Sequence, residues 1–211
     1  LFPDVGGGWL LSKLPSGVGL WLGLTGSRLY SYDLLKVGLA NYNIESKNIE
    51  NLKGLIIEKP SEKHDDVSKI INSFSSVPLN NSILEKNMDS IETIFSQTSI
   101  AGILKSTSNL IEMGNDFAIS TNKELMLKSP TSLKITLKQI LDAKTMSLED
   151  ELVMEYRMVQ KCQSSGDFYE GVRANLVDKD RSPNWKPRLI SSLNENIIDE
   201  HFNNLNEKEL F

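Results

Sequence analysis

Few side chains in this sequence have the type and spacing to do chemistry. Asp4 is the first candidate. It lies in Pro3-Asp4-Val5-Gly6-Gly7-Gly8, between a proline and three glycines, at the entry to an apolar run. Glycines allow positive φ and close backbone approach, so such a turn can present a carboxylate at short range. A carboxylate there also meets the positive end of a helix dipole. The residues alone therefore leave two roles open, an acid–base group or a helix cap. No GK[ST] follows the glycine run, and GxSxG and HExxH are absent. That removes the phosphate loop, the nucleophile elbow and the zinc-protease helix.

The other charged groups read more simply. Asp167, Glu170 and Arg173 have the spacing of a box-like helix start and a surface ion pair, so a structural role is expected. Lys179, Arg181 and Lys186 form a small basic group near Trp185. It could donate charge-assisted hydrogen bonds to phosphate or lie on a solvated face. Cys162 is the only cysteine, and His64 and His201 are distant from it in sequence. An intrachain disulfide is excluded and a zinc site is not expected. Cys162 reads as a small core residue, and His64, in SEKHDD, as solvated surface.

Helices must position these groups. A helix is expected from Gly8 or Trp9 to about Leu14, with Trp9, Leu10 and Leu14 largely buried. Pro15-Ser16-Gly17 breaks it. A second apolar helix runs from Val18 to Leu24, and a third follows Ser31-Tyr32-Asp33 and ends at Gly38. Leu39 to Ile44 is a candidate short strand. Residues 45–65 read as polar and loop-rich around Leu55-Ile56-Ile57, and from Asp66 onward the pattern is helical. Ser129-Pro130 is an N-cap with proline at the first helical position, followed by the stripe Leu133, Leu137, Ile140 and Leu141. Ser147 and Asp150 resemble a capping box, with Leu148, Leu152, Tyr156 and Val159 as the stripe of that helix. Trp9 and Trp21 are expected to pack beneath the Asp4 turn.

The 211 residues suit one domain, or one domain with a small appendage. With 39% hydrophobic and 24% charged residues, a packed core is expected. A formal net charge of −5 argues against nucleic-acid binding. The stretch from Trp9 to Leu24 is broken by Lys13, Pro15 and glycines, short of the roughly 20 continuous apolar residues of a membrane span. It also lacks the basic start and cleavage site of a signal peptide.

Longer segments carry a resemblance. LFPDVGGGWLLSKL is similar to the motif of the 3-hydroxyisobutyryl-CoA hydrolases, a branch of the crotonase (enoyl-CoA hydratase) superfamily. LGLTGSRLYSYDLLKVGLA resembles the superfamily segment that follows. SPTSLKITLKQI, EYRMVQKC and DFYEGVRANLVDKDRSPNWKP resemble the hydrolase branch, in the same order, and HFNNLNEKELF resembles a natural C-terminus. Hydratases carry a PGAGGT-like stretch with glycine where Asp4 stands. Dienoyl-CoA isomerases also carry aspartate there, so the downstream motifs make the distinction.

The resemblance implies an α/β crotonase-type spiral core in the intact protein, with the chain itself mainly α. Residues 1–65 would be the C-terminal part of the acyl-CoA-binding core, and residues 66–211 a helical C-terminal region. It implies cleavage of the thioester of 3-hydroxyisobutyryl-CoA in valine breakdown. Asp4 would be the catalytic and substrate-binding aspartate that steers the substrate hydroxyl. The partner glutamate and the oxyanion hole would lie before Leu1, so the chain alone is expected to be inactive, with apolar surface exposed. The substrate is an acyl-CoA thioester. No cofactor is implied beyond the CoA it carries, and no metal, nucleic acid or membrane. Homo-oligomerisation stays open. Localisation is expected to be cytoplasmic in a bacterium or the mitochondrial matrix in a eukaryote. The alternatives are an enoyl-CoA hydratase or isomerase of the same superfamily, and a non-catalytic assembly module.

Overall fold

The computed structural model describes residues 1–58 and 64–210. Those residues are helical almost throughout. The helices in chain order are α1 Gly7–Ser12, α2 Val18–Thr25, α3 Ser31–Lys36, α4 Ile49–Glu58, α5 His64–Ser73, α6 Ile83–Lys86 and α7 Met88–Phe95. They continue with α8 Ile100–Glu112, α9 Asp116–Leu127, α10 Pro130–Asp142, α11 Leu148–Gln163, α12 Gly166–Val172 and α13 Glu195–Asp199. A π-helical turn, Arg173–Val177, extends α12.

Two compact units result. One comprises Leu1–Ser27 and Asp89–Phe211, the other Arg28–Met88. This differs from a division at residue 65, because α1 and α2 pack on α10, more than a hundred residues later. In the first unit α2 is apolar on all sides and buries Val18, Leu20, Trp21 and Leu24. A helix of that kind belongs inside a core, and each large side chain buried there contributes about 1.5–3 kcal/mol. The Trp21 ring meets Phe117 of α9 at 6.0 Å between centroids. A neighbouring cluster joins Phe2 and Ile135 to Met154, Met158 and Cys162. The second unit centres on buried Asp33, which accepts from Ser82 Oγ while Ser82 caps α6 by accepting from Glu85 N–H at 2.7 Å.

Several expectations needed correction. The expected strand from Leu39 to Ile44 reduces, among the described residues, to one antiparallel bridge between Ile44 and Ser75. The region 45–58 is helical rather than loop-rich: Leu52, Leu55 and Ile56 lie one turn apart on one side of α4, a pattern diluted by polar neighbours. Helix α1 stops at Ser12, and Leu10 is 46% exposed rather than buried. The Ser129 cap stands, with its side chain accepting from Ser132 N–H at 3.2 Å. Residues 59–63 and the side chain of His64, expected at the surface, lie outside the described residues. Among the described residues no helix is long and apolar enough to cross a membrane.

Candidate active site

The turn carrying Asp4 is held at both ends. Gln139 Nε2, on α10, donates to the Pro3 carbonyl at 2.7 Å. Gly6 N–H donates to both carboxylate oxygens of Glu155, on α11, at 3.1 Å each. The Asp4 carbonyl accepts from Gly7 N–H at 2.9 Å, which closes the turn. Asp4 itself is exposed. Among the described residues its carboxylate has no hydrogen-bond or ion-pair partner. The cap reading is therefore overturned: the N-cap of α1 is Gly6, with no side-chain cap.

The backbone of this turn is unusual. Val5 has φ +57° and Gly6 φ +77°. Gly6 tolerates that conformation, whereas a β-branched residue there is an outlier that costs on the order of 1–3 kcal/mol. Val5 is 88% exposed, so no packing of its side chain compensates.

The clamp is built from acidic groups. Glu151 is wholly buried and Glu155 is 5% exposed. Glu151 Oε1 accepts from Gln139 Nε2 at 2.9 Å, and Glu155 Oε1 from the same atom at 3.3 Å. Glu151 and Glu155, one turn apart on α11, thus share the Gln139 Nε2 donor. Burial, reinforced by Glu155, pushes the Glu151 carboxyl up to about 7. The N-cap amide of α1, Gly6 N–H, is thus met by a side chain far along the chain rather than by a local side-chain cap.

Gly8 makes this approach possible. A Cβ on Gly8 would collide with Glu151 Oε1 and Gln139 Nε2. The arrangement is costly: Glu151 Oε2 and Gln139 Oε1 are buried without partners, each a loss of about 1–3 kcal/mol.

Gln139, Glu151 and Glu155 are not among the site residues that the sequence suggests. The apolar spacing places the buried stripe of α11 at Leu148, Leu152, Tyr156 and Val159. That stripe is corrected: the buried face carries Glu151, Met154, Glu155, Met158 and Cys162, and Leu148 is 39% exposed. A pattern drawn from apolar residues alone cannot select a face with carboxylates on it. The available signal was Glu155 opening EYRMVQKC, with Glu151 one turn before it.

The remaining candidates separate. Asp167 accepts from Ser129 Oγ at 2.7 Å and from Lys186 N–H at 2.9 Å, tying α10, α12 and the following loop. Arg173 pairs with Glu170, Asp178 and Asp180, and the guanidinium draws the Glu170 carboxyl down to about 2. These are structural roles. Arg181 and Trp185 line a cavity of about 670 Å³ that Cys162 and His201 also border, whereas Lys179, Lys186 and Asp4 do not. Burial raises the Cys162 thiol to about 11, which suits a core residue and not a nucleophile. Trp21 is buried, while Trp9 is half-buried and its Nε1 donates to the Met146 carbonyl at 3.2 Å. Among the described residues no cluster of three or more metal-ligating side chains occurs.

Comparison with known proteins gives a consistent picture. A family profile described as Enoyl-CoA hydratase/isomerase matches residues 1–202. The chain is 39% identical to the mitochondrial 3-hydroxyisobutyryl-CoA hydrolase of Danio rerio and 37% identical to that of Homo sapiens, in each case over all of this chain and 55% of the relative. The chain therefore spans about half the length of the curated relatives it matches. Among solved structures, a carnitinyl-CoA dehydratase from Mycobacterium thermoresistibile superposes with a TM-score of 0.87 at 27% identity, over 100% of this chain and 58% of that one. An enoyl-CoA hydratase from Rhodobacter sphaeroides 2.4.1 gives 0.79 at 26% identity, with the same coverage. By the profile match along nearly its whole length and the shared fold, the chain belongs to the enoyl-CoA hydratase/isomerase family.

Proposed function

We propose that this chain is the C-terminal part of a thioester hydrolase that converts 3-hydroxyisobutyryl-CoA into the hydroxy acid and free CoA, a step of valine breakdown. The curated relatives matched along its entire length carry that name. The single observation that carries the reading is an exposed, unpaired Asp4 carboxylate on a turn fixed at Pro3 and Gly6. A carboxylate free of partners is available to a substrate hydroxyl, and a fixed turn sets its direction.

In this reading water adds to the thioester carbonyl carbon, the C–S bond breaks, and the departing sulfur takes up a proton. Asp4 accepts the hydrogen bond of the substrate's 3-hydroxyl and assists proton movement. A glutamate acting at the carbonyl, and the oxyanion-hole amides that stabilise the developing charge, belong to the crotonase-type spiral core in the part of the relatives that this chain does not span. The reaction so written needs no cofactor beyond the CoA of the substrate. The mitochondrial matrix is the proposed location, in keeping with the relatives' names.

A second reading, hydration or isomerisation of a 2-enoyl-CoA, is favoured by the solved neighbours, a dehydratase and a hydratase. The test compares the two substrates on the full-length protein, following thiol release from 3-hydroxyisobutyryl-CoA and hydration of a 2-enoyl-CoA. Asp4→Asn should lower thiol release by roughly 100- to 10,000-fold, leaving a measurable rate, with the fold retained. Unchanged thiol release by Asp4→Asn, or hydration without thiol release by the parent, overturns the proposal.

A further inference from the structure

The buried acidic pair on α11 has no role in the reaction as written above, yet Glu155 bonds the turn that carries Asp4 and Glu151 is joined to that turn through Gln139. We propose that Glu155 and Glu151, with Gln139, are positioning residues that fix the direction of the Asp4 carboxylate during thioester hydrolysis. The proposal rests on the reading of Asp4 as the group that steers the substrate hydroxyl.

The geometry is specific to the turn. Of the four residues from Pro3 to Gly6, the first is held through its carbonyl by Gln139 and the last through its N–H by Glu155. Both anchors are backbone groups, so they set the path of the chain on either side of Asp4 without touching its side chain. The two anchors are joined, because Gln139 Nε2 also donates to Glu155 and Glu151. Gly8 lacks the Cβ that would keep Glu151 and Gln139 away.

Two features separate this arrangement from ordinary packing. An apolar face on α11 would fill the same space without burying two carboxyl groups, and buried ionisable groups rarely gain stability over apolar ones. The turn they grip holds Val5 at φ +57°, a conformation that persists only when its surroundings impose it. Strain held in place beside an exposed acid is the signature of a turn aimed for use. Released from Glu155, the turn can relax Val5 towards negative φ and swing Asp4 away from its direction.

The test is a double-mutant cycle in the full-length protein. Glu155→Met removes the acceptor for Gly6 N–H at similar length. It should lower kcat by up to roughly 100-fold, the loss that a displacement of about 1 Å produces, with KM little changed. Glu155→Gln keeps an acceptor oxygen and should restore much of the rate. In an Asp4→Asn background Glu155→Met should cost almost nothing further, because its effect passes through Asp4. Hydrogen exchange at the Gly6 amide should speed up in Glu155→Met and stay unchanged in Asp4→Asn.

Additive losses, or a KM effect with kcat retained, overturn the positioning role and leave Asp4 catalytic. Full activity in Asp4→Asn overturns both assignments, and the Gly6 exchange then still reports whether the clamp exists. If Glu155→Met does not fold, Gln139→Met carries the same cycle through the Pro3 anchor.

Discussion

Glu151 keeps its proton to higher pH than a solvated glutamate because burial penalises its charge; Glu155 adds to the rise, and Gln139 and Trp9 N–H oppose it. The unfolded chain releases this proton near the ordinary value of 4.5, and the folded chain near 7. Between those values the folded state binds more protons than the unfolded state, so stability falls as pH rises. The penalty is absent below about 4.5 and complete above about 7. Buried His201 works in the opposite sense: burial lowers its pKa, so it penalises the fold at acid pH. The contributions separate by difference. Urea midpoints measured from pH 4 to 8 for the parent and for Glu151→Gln should diverge through this window, the variant losing the downward slope assigned to Glu151. Parallel curves would show that Glu151 does not hold an extra proton.

At the scale of elements, the first unit depends on two backbones passing close together. A Cβ at Gly19 of α2 would run into the Leu11 carbonyl of α1, a backbone atom that cannot rotate aside. Gly19→Ala should therefore destabilise by about 1–3 kcal/mol, the usual cost of overpacking. Gly54, inside α4, has open space around its Cβ position. Gly54→Ala should stabilise that helix by about 0.5–1 kcal/mol through the lower backbone entropy of alanine. Thermal unfolding of the two variants checks both signs. The same contrast explains what could be read early: a glycine in a sequence does not say whether it saves space or only adds freedom. The caps at Ser99, Ser129 and Ser147, by contrast, are local events, with each side chain accepting an N–H three residues on.

For the whole molecule, the proposed reaction calls for an oxyanion hole and a glutamate that the proposal assigns to a part of the relatives this chain does not span. A carboxylate that steers a hydroxyl does not by itself stabilise the charge that develops on a thioester carbonyl. The chain expressed alone should release no thiol from 3-hydroxyisobutyryl-CoA above the uncatalysed rate, while the full-length protein turns it over. Measurable turnover by the chain alone would move the catalytic groups onto residues described here.

The sequence by itself determined the helical character, most helix starts, the break at Pro15-Ser16-Gly17 and the turn that carries Asp4. These follow from propensity, capping and glycine conformation, which act within a few residues. It also carried the family resemblance, through motifs spread over the chain. Only the tertiary structure decided that Asp4 is not a cap, that α11 turns its acidic face inward, and that Gln139 and Glu155 grip a turn more than a hundred residues away. The physical reason is that a buried carboxyl group is unfavourable in every local environment the sequence offers. It becomes tolerable only against the N–H of Gly6 and the amide of Gln139, which are brought together by the fold.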